Sequence, residues 1–417
     1  MAYTLITSVG TGMYNKEKNK ETGYSETDYF FNETQHFKTR LFMEALLKGK
    51  YRNIDQLIVI GTETSSWDAL VKAEDEELTE KDAELWEELK EASTEKDGIK
   101  KGITESLRIE LETYLERRFG IPVTIKVHTP LVDQDHVREL FECYSSIYPI
   151  IKENNDVLFD MTHGFRSMPM LFYQAMQYHF SDDTERKIEL VYGEFGKKAY
   201  VRNLSEYWRY SQISAALHVF IKKLDGFTLA KLIESEWPKG ADAIKALSDV
   251  VQANFALHLP DVIKKIRSAL KHLPKGSPVW IEKIKAPLQE VKDLEDHRSL
   301  ARTLYNYSAY LYGHDLKTQA VITLQNTVET AIAEKFGDAD CIGDYMWWQN
   351  HGKTYLNKAV KRAKIYPELE NLGHRRNNVA HGGAKDIAGK LPSVADIPKA
   401  YEEGKRVVAI LLDKLEL

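Results

Sequence analysis

The stretch "DVLFDMTHGFRSMPMLFYQAMQYHF" (156–180) decides the reading of the fold. It opens as a β-rich run, crosses a loop of Thr, His, Gly and Arg, and continues as a predicted helix over 166–179. The same grammar recurs upstream and downstream. "YTLITSV" (3–9), "QLIVIG" (56–61), "VTIKVHTPL" (123–131), "IELVYGEF" (188–195) and "AYVRNL" (199–204) read as strands, with helices expected near 34–48, 103–118 and 133–153. Strands alternating with helices in this way predict a doubly wound α/β domain built on a mainly parallel sheet. Beyond residue 205 the strand runs stop and apolar residues recur at helical spacing. The expected architecture is therefore an α/β Rossmann-like domain over 1–204 followed by an all-α domain over 205–417.

Composition narrows the class. A chain of 417 residues with 43% hydrophobic and 29% charged residues is ordinary globular protein of more than one domain. Its apolar runs are too short for a membrane span, and no signal peptide is read at the start. With only Cys143 and Cys341, no disulfide framework is available, which suits a reducing cytoplasm. A net charge of −6 gives no global attraction to nucleic acid, so any RNA contact needs a local basic patch. The acidic stretch 72–98 is expected to be a solvated helix or hairpin inserted in the first domain.

In an open parallel sheet, ligands bind beyond the carboxyl ends of the strands. Four loops leave that edge: "SVGTGMY" (8–14), "GTETSSW" (61–67), "TPLVDQD" (129–135) and "MTHGFRS" (161–167). Gly, Ser and Thr allow close backbone approach and supply hydroxyls, while His163 and Arg166 add charge and polarity, so the set suits phosphates and polar bases. Trp67 or Tyr14 is a candidate to stack on a base, with packing the alternative. The segment Gly10–Asn32 has no obvious regular pattern and is expected to form a mobile lid that closes on the ligand, with a disordered surface loop the alternative. A dinucleotide enzyme is disfavoured because the full G-x-G-x-x-G spacing is missing. Asp160 and His163 lack further ligands for a metal, so none is expected. Thr162 and His163 have a plainer alternative as caps of the following helix.

"DMTHGFRSMP" (160–169), with "GTETSSW" and "SVGTG" in that order, resembles the DxTHG branch of CRISPR-associated proteins carrying a CARF domain. The resemblance implies a sensor that binds a cyclic oligoadenylate, tetra-adenylate favoured over hexa-adenylate, across the two-fold axis of a homodimer. It places Gly10, Thr11, Gly12, Thr62, Glu63, Thr64, Ser65, Thr162, His163, Gly164 and Arg166 in the ligand loops. A phosphate ring with two-fold symmetry suits an isologous dimer that presents the same loops twice, and Arg166 suits phosphate.

In the second half, "RNNVAH" (376–381) lies within "GHRRNNVAHGG" (373–383) and resembles the R-x4-6-H motif of HEPN ribonucleases. The resemblance implies metal-independent cleavage of single-stranded RNA in type III CRISPR defence, with no cofactor. RNA brings its own 2′-hydroxyl nucleophile, leaving proton transfer and phosphate charge to the protein. His381 is the acid/base candidate, Arg376 the phosphate stabiliser and Asn377 an orienting group. On a helix five residues turn the chain by about 500°, which leaves Arg376 and His381 roughly 140° apart. Two copies facing across a dimer axis would supply what one copy lacks. Arg375, Lys361 and Arg362 are candidate RNA contacts within an aromatic and basic stretch running from Trp347 to Lys364. Two alternatives stay open: a charged helix whose arginines pair with Glu368 or Glu370 in a regulator that only dimerises, and a sensor that also degrades its own activator.

Overall fold

The fold was analysed as a computed structural model. It describes residues 2–10, 14–15, 20–21, 24, 26–49, 51–71, 78–94, 101–129, 134–163, 167–180, 183, 186–194, 198–274, 276, 278–361, 365–380 and 396–417. The chain separates into two units, Met1–Tyr210 and Ser211–Leu417.

The first unit contains strands β1 (Tyr3–Val9), β2 (Tyr14–Asn15), β3 (Lys20–Glu21), β4 (Thr27–Phe30), β5 (His36–Thr39), β6 (Ile54–Thr62), β7 (Val123–His128), β8 (Asp156–Asp160), β9 (Ile188–Glu194) and β10 (Ala199–Asn203). Eight of them form one sheet in the order β5-β4-β10-β9-β8-β1-β6-β7. From β9 to β7 every neighbouring pair is parallel; β10 runs against β9, and β4 against β5. The chain leaves β1 towards β6 and β7 and returns to its other side with β8. Strand order thus reverses at β1 and β8, the place where an open parallel sheet offers a ligand site.

Helices α1 (Phe42–Lys48), α2 (Glu80–Ser93), α3 (Glu105–Phe119), α4 (Gln134–Ser145) and α5 (Ser167–His179) cover the sheet. Alternation along the central strands divides their side chains between two cores. Leu5, Leu57 and Val59 pack with α1, α2 and α3, whereas Ile6, Ile58, Ile60, Val157 and Phe159 pack with α4 and α5. Strands buried on both faces read as continuous apolar runs, which is why they were conspicuous. α2 and α3 start at Thr79 and Thr104, whose hydroxyls accept from Asp82 N and Leu107 N, and α3 stops at Gly120 with φ 68°.

Three expectations change. The helix expected over 34–48 is a strand and a short helix, β5 then α1, because "HFKT" pairs with β4 before the apolar helix begins. The segment Gly10–Asn32 is not wholly irregular, for β2 pairs with β3 and β4 joins the main sheet. Within the acidic stretch, α2 buries Leu85, Leu89 and Ala92, so only part of its surface is solvated.

The second unit is helical. α6 (Ser205–Lys223) crosses the division between the units, followed by α7 (Phe227–Ile233), α8 (Pro238–Ala253), α9 (Leu259–Lys271), α10 (Val279–Asp293), α11 (Leu300–Gly313), α12 (Lys317–Phe336), α13 (Tyr345–Trp347), α14 (Lys353–Lys361), α15 (Tyr366–Ala380) and α16 (Asp396–Leu415). α12 lies at its centre and packs against α11, α15 and α16. Gly404 permits the close approach of α16 to α15, since a Cβ there would sit 2.8 Å from Leu372 Cδ1. Among the described residues, no helix is long and apolar enough to cross a membrane.

Candidate functional site

The candidate site lies at the carboxyl ends of β1 and β8. Asp160 ends β8 with no exposed surface. Its carboxylate accepts from Thr7 Oγ1 (2.6 Å) on β1 and from Thr162 N (2.7 Å), which closes an Asx turn and aims the loop upward. Ser8 Oγ donates to the His163 carbonyl and locks the same loop to β1. Thr162 Oγ1 accepts from Gly193 N (2.8 Å), so its hydroxyl ties the end of β8 to β9, while residues 164–166 before the following helix lie outside the described residues.

His163 meets the ring of Tyr24 edge to face, with centroids 4.9 Å apart. Burial pushes the His163 pKa down, partly opposed by the nearby Asp160 carboxylate. The imidazole is thereby held neutral, able to accept a hydrogen bond at one nitrogen and donate at the other. Tyr24 OH accepts from Gly10 N (2.7 Å), and burial lifts its own pKa to about 12. Nothing in the sequence pointed to Tyr24, which stands in a segment without periodicity.

The loop after β6 divides into supporting and available groups. Ser65 Oγ accepts from Thr62 N (2.9 Å), contacts Thr62 Oγ1 (3.0 Å) and donates to the Val9 carbonyl (2.8 Å). Ser66 N donates to the Gly10 carbonyl (2.9 Å), fastening this loop to the end of β1. Thr62 and Ser65 are buried and hold the loop, whereas Glu63 is exposed and Thr64 half-exposed. Trp67 is 1% exposed, donates to the Thr62 carbonyl (2.9 Å) and fills the space above Gly61. A base-stacking role for Trp67 is corrected by this burial. Thr11, Gly12, Gly164, Arg166 and residues 130–133 lie outside the described residues, as does any side-chain position for Tyr14.

In the second unit, α15 carries Arg375, Arg376 and Asn377; His381 follows it, outside the described residues. Arg376 does not pair with Glu368 or Glu370. Its Nη2 meets Glu329 Oε1 on α12 (3.3 Å), and its Nη1 donates to Asn377 Oδ1 (3.0 Å). Glu368 faces Arg406 of α16 instead, at 3.9 Å. Asn377 is exposed and in contact with the guanidinium, which suits an orienting group. Lys361 is exposed at the end of α14, while Arg362 lies outside the described residues. Of the aromatic and basic stretch, Trp348 belongs to the core, and His351, Lys353 and Lys358 are exposed.

Residues 4–194 match the model of the CARF domain of the CRISPR system endoribonuclease Csx1. CRISPR-associated protein MJ1674 of Methanocaldococcus jannaschii is 24% identical over 415 residues, covering 93% of this chain and 60% of that relative's length. Enterococcus italicus Csm6 bound to cyclic hexa-2′-fluoro-hexa-dAMP aligns over 100% of this chain and 94% of that one, at TM-score 0.41 and 12% identity.

Proposed function

From the match of residues 4–194 to a Csx1 CARF domain, we propose that the first unit is a CARF sensor and that the protein is a cyclic-oligoadenylate-activated endoribonuclease of type III CRISPR defence. One observation carries the reading: a single chain joins this domain to a helical unit whose α15 ends in "RNNVA", with His381 next in sequence. At the strand reversal the first unit brings together Glu63, the Thr64 hydroxyl and the His163 imidazole, groups suited to the phosphates and bases of a cyclic oligoadenylate. Glu63, Thr64, His163 and Arg166 contact the ring, and Thr62, Ser65 and Thr162 hold the loops that present them. Activation requires the ring to bind the active arrangement more tightly than the idle one.

In the second unit, Arg376 stabilises the charge that develops on the scissile phosphate, and Asn377 orients it. His381 transfers the proton between the 2′-hydroxyl and the leaving 5′-oxygen, which leaves a 2′,3′-cyclic phosphate and needs no metal. The site is composite, made by two copies of the chain in a homodimer.

The test is cleavage of a fluorescent single-stranded RNA in EDTA, with and without cyclic tetra- or hexa-adenylate. The wild type is expected to cut only with one of the rings, and His381→Ala to lose about a hundredfold or more. The competing reading is a ligand-binding regulator in which Arg376 is structural, favoured by its ion pair with Glu329. Undiminished cleavage by His381→Ala, or none by the wild type, would replace the first reading with the second.

A further inference from the structure

We infer that Glu329, far from the motif in sequence, is the positioning residue for Arg376; the inference rests on the ribonuclease reading. On α12, Gln325 and Glu329 are one turn apart, and Gln325 Nε2 donates to Glu329 Oε1 (3.0 Å). That same oxygen receives Arg376 Nη2 from α15 at 3.3 Å. The opposite branch of the guanidinium, Nη1, is held by Asn377 Oδ1 at 3.0 Å. Gln325, Glu329, Arg376 and Asn377 thus form a chain of hydrogen bonds that runs from the central helix to the outer face of α15.

The geometry leaves the fork usable. A guanidinium carries five N–H donors. Among the described residues, one donor on each terminal nitrogen is engaged and each keeps a second, while Nε is buried with no partner there. Two contacts on opposite branches fix the plane and the rotation of a side chain that otherwise has large rotamer freedom. The donors that remain can meet a phosphate without the arginine first having to be ordered. Pre-ordering of this kind acts on the transition state, because a misplaced charge forfeits much of its stabilisation. Glu329 and Arg376 are each about 30% exposed, so water weakens the pair's contribution to folding. An ion pair of small structural worth that orders a phosphate-binding arginine is a positioning device.

Full-length Glu329→Ala, Glu329→Gln, Arg376→Ala and the double variant Glu329→Ala/Arg376→Ala separate the possibilities, with RNA cleavage measured under whichever of cyclic tetra- or hexa-adenylate activates the wild type. Glu329→Ala is expected to lower kcat by about tenfold to a hundredfold with unchanged ring affinity and thermal midpoint. Glu329→Gln, whose amide oxygen still accepts from Nη2, is expected to restore most of that loss. The double variant should be no slower than Arg376→Ala, since Glu329 has nothing left to position. Full kcat in Glu329→Ala, or a further loss of the same factor when it is added to Arg376→Ala, overturns the inference. Should Arg376→Ala and His381→Ala both cut as well as the wild type, the ribonuclease reading fails and takes this inference with it. If those two are dead while Glu329→Ala is unimpaired, only the inference fails.

Discussion

Ser65 and Thr64 are neighbours in one loop with opposite duties. Ser65 Oγ holds Thr62 N, the Thr62 hydroxyl and the Val9 carbonyl together in a buried cluster. Its removal in Ser65→Ala leaves a buried N–H unsatisfied and is expected to cost about 1–3 kcal/mol of stability, read from urea unfolding. Thr64→Ala, at a partly open position, should leave the urea midpoint unchanged and weaken cyclic oligoadenylate binding. A stable Ser65→Ala would show that the cluster does not hold the loop. Tyr24→Phe removes the acceptor of Gly10 N, and about 1 kcal/mol, roughly fivefold in ring affinity, is the expected loss by titration. Equal affinity would place Tyr24 outside the site. The residue types in these loops were informative in the sequence, because hydroxyls and glycines at strand ends serve polar ligands. Their division into supports and contacts was not, since a threonine that braces a loop and one that faces solvent look the same in a string of letters.

Elements were legible where burial on two faces makes a strand continuously apolar, as in β1, β6 and β8. They were misread where a short half-buried strand abuts a helix, as with β5 and α1, because a four-residue alternation merges into the helical pattern that follows. Two strand ends carry histidines that set a pH response. His128 closes β7, where it is buried with Nε2 unpaired among the described residues, and His163 follows β8; burial lowers the pKa of both. The unfolded chain therefore takes up protons first as pH falls through about 6.5. Stability contributed by these neutral imidazoles is complete above that value and declines below it. Thermal midpoints are expected to drop between pH 7.5 and 5.5, and His128→Gln to reduce the drop. An identical slope in that variant would mean that other groups set the response.

At the scale of the molecule, the sequence announced two kinds of architecture, because a change from strand alternation to helical periodicity survives in any local window. Pairings between distant segments left no such mark. Glu329 and Arg376 belong to different helices, and only folding brings them to 3.3 Å. A similar limit applies to the proposed composite site, which would depend on a second copy of the chain. On the proposed reading, a helical spacing would turn Arg376 and His381 roughly 140° apart, and a phosphate would be served by the arginine of one protomer and the histidine of its partner. Arg376→Ala and His381→Ala are each expected to be inactive as homodimers. In a mixed dimer, the first still brings His381 and the second still brings Arg376, so one complete pair forms across the axis although neither chain holds both. Unfolding and refolding the two variants together should restore cleavage to a sizeable fraction of the wild-type rate, with cyclic oligoadenylate still required. Activity no greater than the sum of the separate variants, from a mixture shown by differential tagging to contain mixed dimers, would rule out service of the phosphate from opposite sides of the axis.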